Sequence, residues 1–256
     1  MSQILKSYDI IGSREKAIAI IEKMENPEEF AKKIIEKHKN VKTVLMKLTE
    51  RSGIERTRDY KIILGEKNTE IKHKESGCIF KLDPTKVYFS VREGTERLRI
   101  ASMVKPNETV LVMFAGVGPY PIIIAKKQKK INKIFSIEIN PIAFEYMKEN
   151  IKLNKVENKI DLFLGDVKEV SHKFFGLCDR VVMPLPHEAK NYINEAERCL
   201  KNKGFIHLYF IASESKVDEE VEKIIEKIKT NFQYTVKKVL PYSPRTYKYC
   251  LDIQFK

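Results

Sequence analysis

Two glycines followed at a distance by an acid form the clearest chemical constellation in the chain. Gly116 and Gly118 follow a short apolar run, residues 110–114 (VLVMF), and precede another, residues 122–125 (IIIA), so the stretch reads as strand, glycine turn and helix. A turn of this kind lets a ligand approach the backbone, because glycine has no Cβ, and the helix N-terminus behind it aims amides at that ligand. Glu138 ends a second apolar strand, residues 134–137, where an acid can accept hydrogen bonds from both ribose hydroxyls of a nucleoside. Glycines at a buried strand end also serve packing alone, and the pattern by itself leaves both uses open. Pro121 stands where a third glycine would let helix and strand close on a pyrophosphate, while Pro119 suits a first helical turn, which needs no amide donor. The expectation is a nucleoside cofactor without phosphates, such as S-adenosylmethionine.

Other reactive residue types are less pointed. Glu96 lies among Arg92, Arg97 and Arg99, with Tyr88 and Phe89 close before them; on a helix starting near Thr95 these charges fall within one turn and read as a surface ion-pair cluster. Arg51, Arg56 and Arg58 sit in RSGIERTRDY, which has neither helical nor strand period. It is either a solvated loop or an RNA-contacting one, since Arg both pairs with phosphate and stacks on bases. Asp166 ends a third strand and either accepts from an adenine amino group or caps the next helix. Pro184-Leu185-Pro186 makes a rigid apolar turn that either walls a flat base or redirects the chain. The five histidines show no ligand spacing, and Cys78, Cys178, Cys199 and Cys250 lie far apart without a CxxC pair. Neither a metal site nor a disulfide framework is expected, and the compartment expected is the reducing cytoplasm.

The 256 residues, 43% of them hydrophobic, suffice for a sizeable core in one large domain or one large and one small. Formal net charge is +13, with Lys and Arg spread along the whole length. Nucleic acid is therefore the first partner to expect, because affinity for phosphates grows with the cations supplied, although a lysine-rich surface suited to high temperature reads the same way. The longest uncharged apolar stretch, residues 109–125, is interrupted by two glycines and two prolines, and residues 1–16 lack the apolar centre of a signal peptide. No membrane span is expected.

The elements that must position these groups fall into two parts. Residues 1–84 read as a small α+β domain with apolar runs at 8–11 and 17–21, a helix at 27–38 and strands at 41–46, 60–64, 69–73 and 78–82. The arginine loop lies within it, which makes it the candidate RNA-contacting unit. In residues 85–256, strands at 110–114, 133–138, 160–164, 179–183 and 205–210 are interspersed with helices at 120–130, 141–153 and 187–201. That is the pattern of an α/β fold with a largely parallel, doubly wound sheet. A helix at 215–230 and two strands, 234–240 and 247–255, joined by PYSPRT then add an antiparallel hairpin. This is the layout of class I (Rossmann-like) methyltransferases, whose ligand lies beyond the carboxyl ends of the strands, where Gly116, Glu138, Asp166 and Pro184 all fall.

Several blocks resemble the archaeal and eukaryotic tRNA (guanine-37 N1)-methyltransferases, including relatives in wyosine synthesis. They are HKESGCIFKLDPTKVYFSVREGTERLRI from His73, MFAGVGPYPI from Met113, IEINPIAFEYMKENIKLNK from Ile137, GDV from Gly165, LPHEA from Leu185, GFIHLYF from Gly204 and SPRTYKY from Ser243. The resemblance covers nearly the whole chain from about Tyr8, and its Tyr-Phe-Ser-x-Arg-x-x-Thr-Glu-Arg block is not a general methyltransferase feature. It implies S-adenosylmethionine as cofactor and the tRNA anticodon loop as partner. N1 of guanine carries a proton at neutral pH that must leave as the methyl arrives, while O6 gathers negative charge. By resemblance Glu96 is the general base, Arg56 stands near O6, and Arg92 holds the target nucleotide. Tyr88, Phe114, Gly116, Gly118, Glu138, Asp166 and Pro186 match cofactor contacts, and Arg97 and Pro184 match substrate contacts. Transfer from a sulfonium needs no metal. The family's separate N-terminal domain has no counterpart here, so a partner protein in its place is one expectation.

Two departures bear on the substrate. Val112 replaces an acid that commonly ends the first strand, and Pro184 replaces the asparagine of the family's Asn-Leu-Pro turn. Methylation of the tricyclic wyosine precursor at the same nucleotide, 3-amino-3-carboxypropyl transfer from the same cofactor, and tRNA binding without catalysis stand as the alternatives.

Overall fold

The computed structural model describes residues 8–50, 53 and 58–256. The N-terminal apolar runs form strands β1 (Tyr8–Gly12) and β2 (Ala17–Ile21), followed by helix α1 (Pro27–Lys37), β3 (Val41–Lys47) and β4 (Tyr60–Gly65). These strands make one sheet in sequence order: α1 crosses over to set β3 parallel to β2, and the two outer pairs are antiparallel. Pro27 opens α1, where a missing amide is harmless, and Ala31 and Ile34 bury its apolar face beside Ala19 and Val44. A separate hairpin follows, β5 (Ile71–Glu75) with β6 (Cys78–Leu82). It starts two residues later than its sequence suggests, because the Thr69 hydroxyl donates to Asp83, at 2.8 Å, instead of extending the ladder.

Helix α2 (Gly94–Met103) leads into β7 (Thr109–Val112), α3 (Pro119–Lys127), β8 (Lys133–Glu138), α4 (Pro141–Leu153), β9 (Ile160–Leu164) and the short α5 (Val167–Val170). Then come β10 (Cys178–Met183), α6 (Ile193–Cys199), β11 (Leu200–Ser213), α7 (Val217–Ile225), β12 (Phe232–Ser243) and β13 (Thr246–Phe255). Seven strands form one sheet ordered β12-β13-β11-β10-β7-β8-β9, all running the same way except β13. Val110, Leu111 and Val112 are fully buried, as a central strand covered on both faces requires. The chain builds outward from β7 to β9 and then returns to β10 on the other side of β7. Sheets of this kind bind ligands in the crevice at that reversal.

Several elements differ in extent from the periodicity. Phe114 leaves the strand with φ 57°, because the tight turn begins there. The helix after Gly118 stops at Lys127, its carbonyl end closed by the Gln128 amide on Ile124. The helix expected over 187–201 is a 3₁₀ turn, Ala189–Tyr192, followed by α6, and β11 starts at Leu200, which pairs with Cys178. The helix expected over 215–230 is α7 alone, continued past Ile225 only by amides reaching back three residues. The terminal hairpin is longer than expected, and Pro244 and Arg245 alone form its link, with Arg245 at φ 56°.

The β5–β6 hairpin shares its core with the large sheet: Phe80 and Leu82 are fully buried in the same cluster as Ile122, Val112 and Met147. Two asparagines one helical turn apart on α4 close the free edge of β6. Asn150 accepts the Lys81 amide at 2.6 Å and donates to the Lys81 and Val117 carbonyls, at 3.0 Å each. Asn154 accepts the Ile79 amide at 2.9 Å and donates to the Ile79 carbonyl at 2.7 Å. The side-chain amides thus take the place of a neighbouring strand. Replacing the fully buried Asn150 with Ala leaves three backbone groups unpaired and should destabilise the fold by on the order of 3 kcal/mol in urea unfolding. Hydrogen exchange at the Lys81 amide should accelerate alongside.

Candidate cofactor and substrate cleft

A cleft of about 850 Å³ lies beyond the carboxyl ends of β7, β8 and β10, and residues of β1, β2 and β4 form its far side. Glu138, the last residue of β8, anchors its floor. Oε2 accepts the Gly116 amide at 2.6 Å and Oε1 accepts the Asn140 amide at 2.8 Å, tying the glycine turn to the loop that enters α4. Asn140 in turn caps α4 by accepting the Ile142 and Ala143 amides. The two glycines have different tasks. At Gly116, φ 59°, an added Cβ would meet nothing within 4 Å, so the turn opens onto free space in the cleft. At Gly118, φ 88°, it would lie 2.8 Å from Met147 Cγ, so this glycine lets α3 approach α4. Phe114, set edge-on to Tyr192 with centroids 5.0 Å apart, and Pro186 give apolar walls, and Pro184 lies beside them. Asp166 caps α5 by accepting the Lys168 amide at 2.8 Å and does not line the cleft.

The block from Tyr88 to Arg99 divides in two. Tyr88 and Arg92 line the cleft. Arg97 does not: it is buried, donates to Glu75 at 2.7 Å and to the Ser90 carbonyl at 2.8 Å, and lies over the Phe89 ring. Glu96 is 5% exposed and faces away from the cleft lining. Its Oε1 accepts from Arg99 Nη2 and from the Tyr209 hydroxyl, each at 2.6 Å, and its Oε2 accepts from Arg99 Nε at 2.8 Å. The ion pairs read as surface pairs in the sequence are therefore interior ones. Glu93, which the sequence does not single out, lines the cleft although only 4% exposed. Its Oε1 accepts the Tyr88 hydroxyl at 3.0 Å and lies 2.9 Å from the ammonium of Lys248. Burial pushes the Glu93 carboxyl up, but the charges of Lys248 and Arg97 more than offset this and hold it below the usual carboxylate range. Arg58 also lines the cleft, 3.6 Å from Glu50, whereas Arg56 lies outside the described residues.

Behind the cleft wall the polar chain continues. Arg99 Nη1 meets Asp252 at 2.6 Å, and Asp252 meets His207 Nδ1 at 2.5 Å. His207 Nε2 faces Arg180 at 2.6 Å, and Arg180 forks onto Glu108 at 2.8 and 3.0 Å. Arg180 is only a donor, so Nε2 accepts and Nδ1 donates to Asp252: His207 is neutral. Burial, the largest influence, likewise lowers the His207 pKa. Among the described residues His207, Cys250 and Asp252 are the group whose ligand atoms come within 4.8 Å of one another. All three belong to this hydrogen-bonded chain, with a guanidinium on either side, and that surrounding disfavours another cation. The four cysteines are buried and free. No helix among the described residues is long and apolar enough to cross a membrane.

Comparison with known proteins places this geometry. Residues 71–237 match the family described as the TRM5/TYW2 methyltransferase domain. The chain is 40% identical to the tRNA (guanine(37)-N(1))-methyltransferase Trm5b of Pyrococcus abyssi, over 97% of this chain and 74% of that protein. The complex of aTrm5 with tRNALeu superposes with a TM-score of 0.85 at 36% identity, covering 98% of this chain and 72% of that one. TYW2 of Methanocaldococcus jannaschii, solved with AdoMet, superposes at 0.74 with 30% identity, covering 98% and 99%.

The buried chain behind the wall has a pH signature. Burial pushes the Asp252 carboxyl up, but the hydrogen bonds from His207 and Arg99 hold it well below its ordinary range. The stability it contributes is present above the unfolded value, about 4, and is lost as pH falls through the depressed folded value. Asp252→Asn leaves Arg99 and His207 without their acceptor and should lower stability at neutral pH by about 3–5 kcal/mol. Denaturant unfolding of the variant should also show a shallower fall below about pH 4 than that of the wild type.

Proposed function

The chain belongs to the TRM5/TYW2 methyltransferase family, and on that premise we propose that it transfers the methyl group of S-adenosylmethionine to N1 of guanosine 37 in tRNA, beside the anticodon. The observation that carries the reading is the strand-end cleft: the Glu138 carboxylate and the open Gly116 turn on one side, Tyr88 and Arg92 on the other. These residues fit a nucleoside cofactor. Glu138 is placed to share its oxygens with ribose hydroxyls, the missing Cβ of Gly116 leaves room for close approach, and Phe114 with Pro186 offers flat apolar surface. When bound, S-adenosylmethionine supplies an electrophilic methyl on a sulfonium centre. Arg92, exposed at the rim, suits a phosphate of the target nucleotide. The four-stranded sheet of residues 8–65 closes the far side of the cleft and carries Arg58, so we assign RNA contact to that unit. The net charge of +13 favours the same polyanion.

One observation favours a second substrate at the same nucleotide. Pro184 lines the cleft and offers the base an apolar surface where the family motif has an amide, which suits the more extended tricyclic wyosine precursor. Nucleoside mass spectrometry separates the cases, using tRNA with guanosine 37 or with the precursor incubated with the protein and S-adenosylmethionine. One methyl gained on guanosine is the expected result. Methylation of the precursor alone establishes the second substrate, a 3-amino-3-carboxypropyl adduct moves the chain to the other chemistry of its family, and no adduct on either overturns the enzyme reading. Glu138→Ala should weaken S-adenosylmethionine binding by tenfold or more in calorimetry, since two charge-assisted hydrogen bonds disappear.

A further inference from the structure

We propose that Glu93, rather than Glu96, is the carboxylate that faces the Watson–Crick edge of the target guanine and receives its N1 proton. The proposal rests on the position-37 reading and names the residue that acts there. Glu96 has both oxygens occupied by Arg99 and Tyr209 and does not line the cleft. Glu93 does line it, on the same cavity as Gly116, Glu138 and Pro184. Both described partners of Glu93, the Tyr88 hydroxyl and the Lys248 ammonium, converge on Oε1. That leaves Oε2 as the oxygen with no described partner. Guanine presents two adjacent donors, N1–H and N2–H₂, and a carboxylate is the side chain that accepts from such a pair. It also supplies a polar contact on the wall where Pro184 has none.

The transfer balances with this residue alone. The C–S bond breaks with its pair left on sulfur, and the methyl carbon bonds to N1. The N1–H pair stays on the ring, and the proton passes to Glu93. A carboxylate of depressed pKa suffices, because the arriving methyl makes the ring cationic and its N1–H far more acidic. Glu96 becomes a positioning residue: it fixes the Tyr209 hydroxyl, the Lys248 ammonium rests 4.6 Å from the Tyr209 ring centroid, and Lys248 holds Glu93.

The test uses the full chain with tRNA bearing guanosine or inosine at position 37, inosine lacking the N2 amine. In cofactor-free anisotropy titrations the wild type should bind the guanosine tRNA about tenfold or more tighter, the range for a hydrogen bond to a charged group. Glu93→Gln, which turns a donor toward the base, should erase that preference, while Glu96→Gln should keep it. In single-turnover methylation Glu93→Gln should lose about a hundredfold to ten-thousandfold. Its rate should rise with pH at unit slope as N1 ionises unaided, where the wild type is flat. Unchanged S-adenosylmethionine affinity checks that the variant is folded, and Glu93→Asp, which retains the carboxylate, should recover part of the rate. A wild type that methylates guanosine while Glu93→Gln keeps both its preference and its flat profile sinks the proposal alone, and all the more if Glu96→Gln loses them. A wild type that methylates neither position-37 substrate sinks the functional reading and this proposal together.

Discussion

A carboxylate held between two backbone amides is the joint on which the cleft depends. The turn after β7 puts Phe114, Gly116 and Gly118 at positive φ, a conformation the chain does not adopt without support. Glu138 provides it by accepting the Gly116 amide, and through Asn140 it also fixes the start of α4. The floor is therefore set before any ligand arrives, and binding needs little ordering of the loops. The same oxygens that hold the turn are those a ribose would use.

A second set of charges holds the wall. From Glu108 through Arg180, His207, Asp252 and Arg99 to Glu96, donors and acceptors alternate across α2, β10, β11 and β13. Alternation is what makes burial tolerable: each group meets an opposite or hydrogen-bonding neighbour, and the neutral histidine joins two guanidinium–carboxylate pairs. A chain with a net charge of +13 thus keeps its excess lysines outside while its interior ions are matched.

Much of this was legible in the sequence where local chemistry decides the structure. Asn140-Pro141 marks the start of α4, the apolar runs give β7 and β8, and the glycine turn with Glu138 gives the crevice at the reversal of strand order. The rest depends on distant partners. Glu93, between Arg92 and Gly94, looks like any solvated acid until β13 brings Lys248 to it. Lys248 is itself hidden because residues 248–251 of β13 are buried on both faces, so alternation gives no sign. Gly118 and Gly116 look alike in the sequence, and only the position of Met147 on α4 assigns one to packing. The early end of the helix after Pro186 reflects Leu200 joining β10, a long-range pairing that outweighs local helical propensity.

The asparagine clamp on β6 has a consequence for the order in which the chain assembles. Its hydrogen bonds join residues 69 and 75 positions apart, so the hairpin is synthesised well before the helix that completes it. Until α4 forms, β6 presents an open strand edge bearing the apolar Cys78, Phe80 and Leu82. Closing that edge is a long-range event, slow by the entropy of the intervening loop, and it couples the docking of the hairpin to completion of the first half of the large sheet. The nascent chain's most exposed moment is thus set by two side chains on a helix that has yet to emerge.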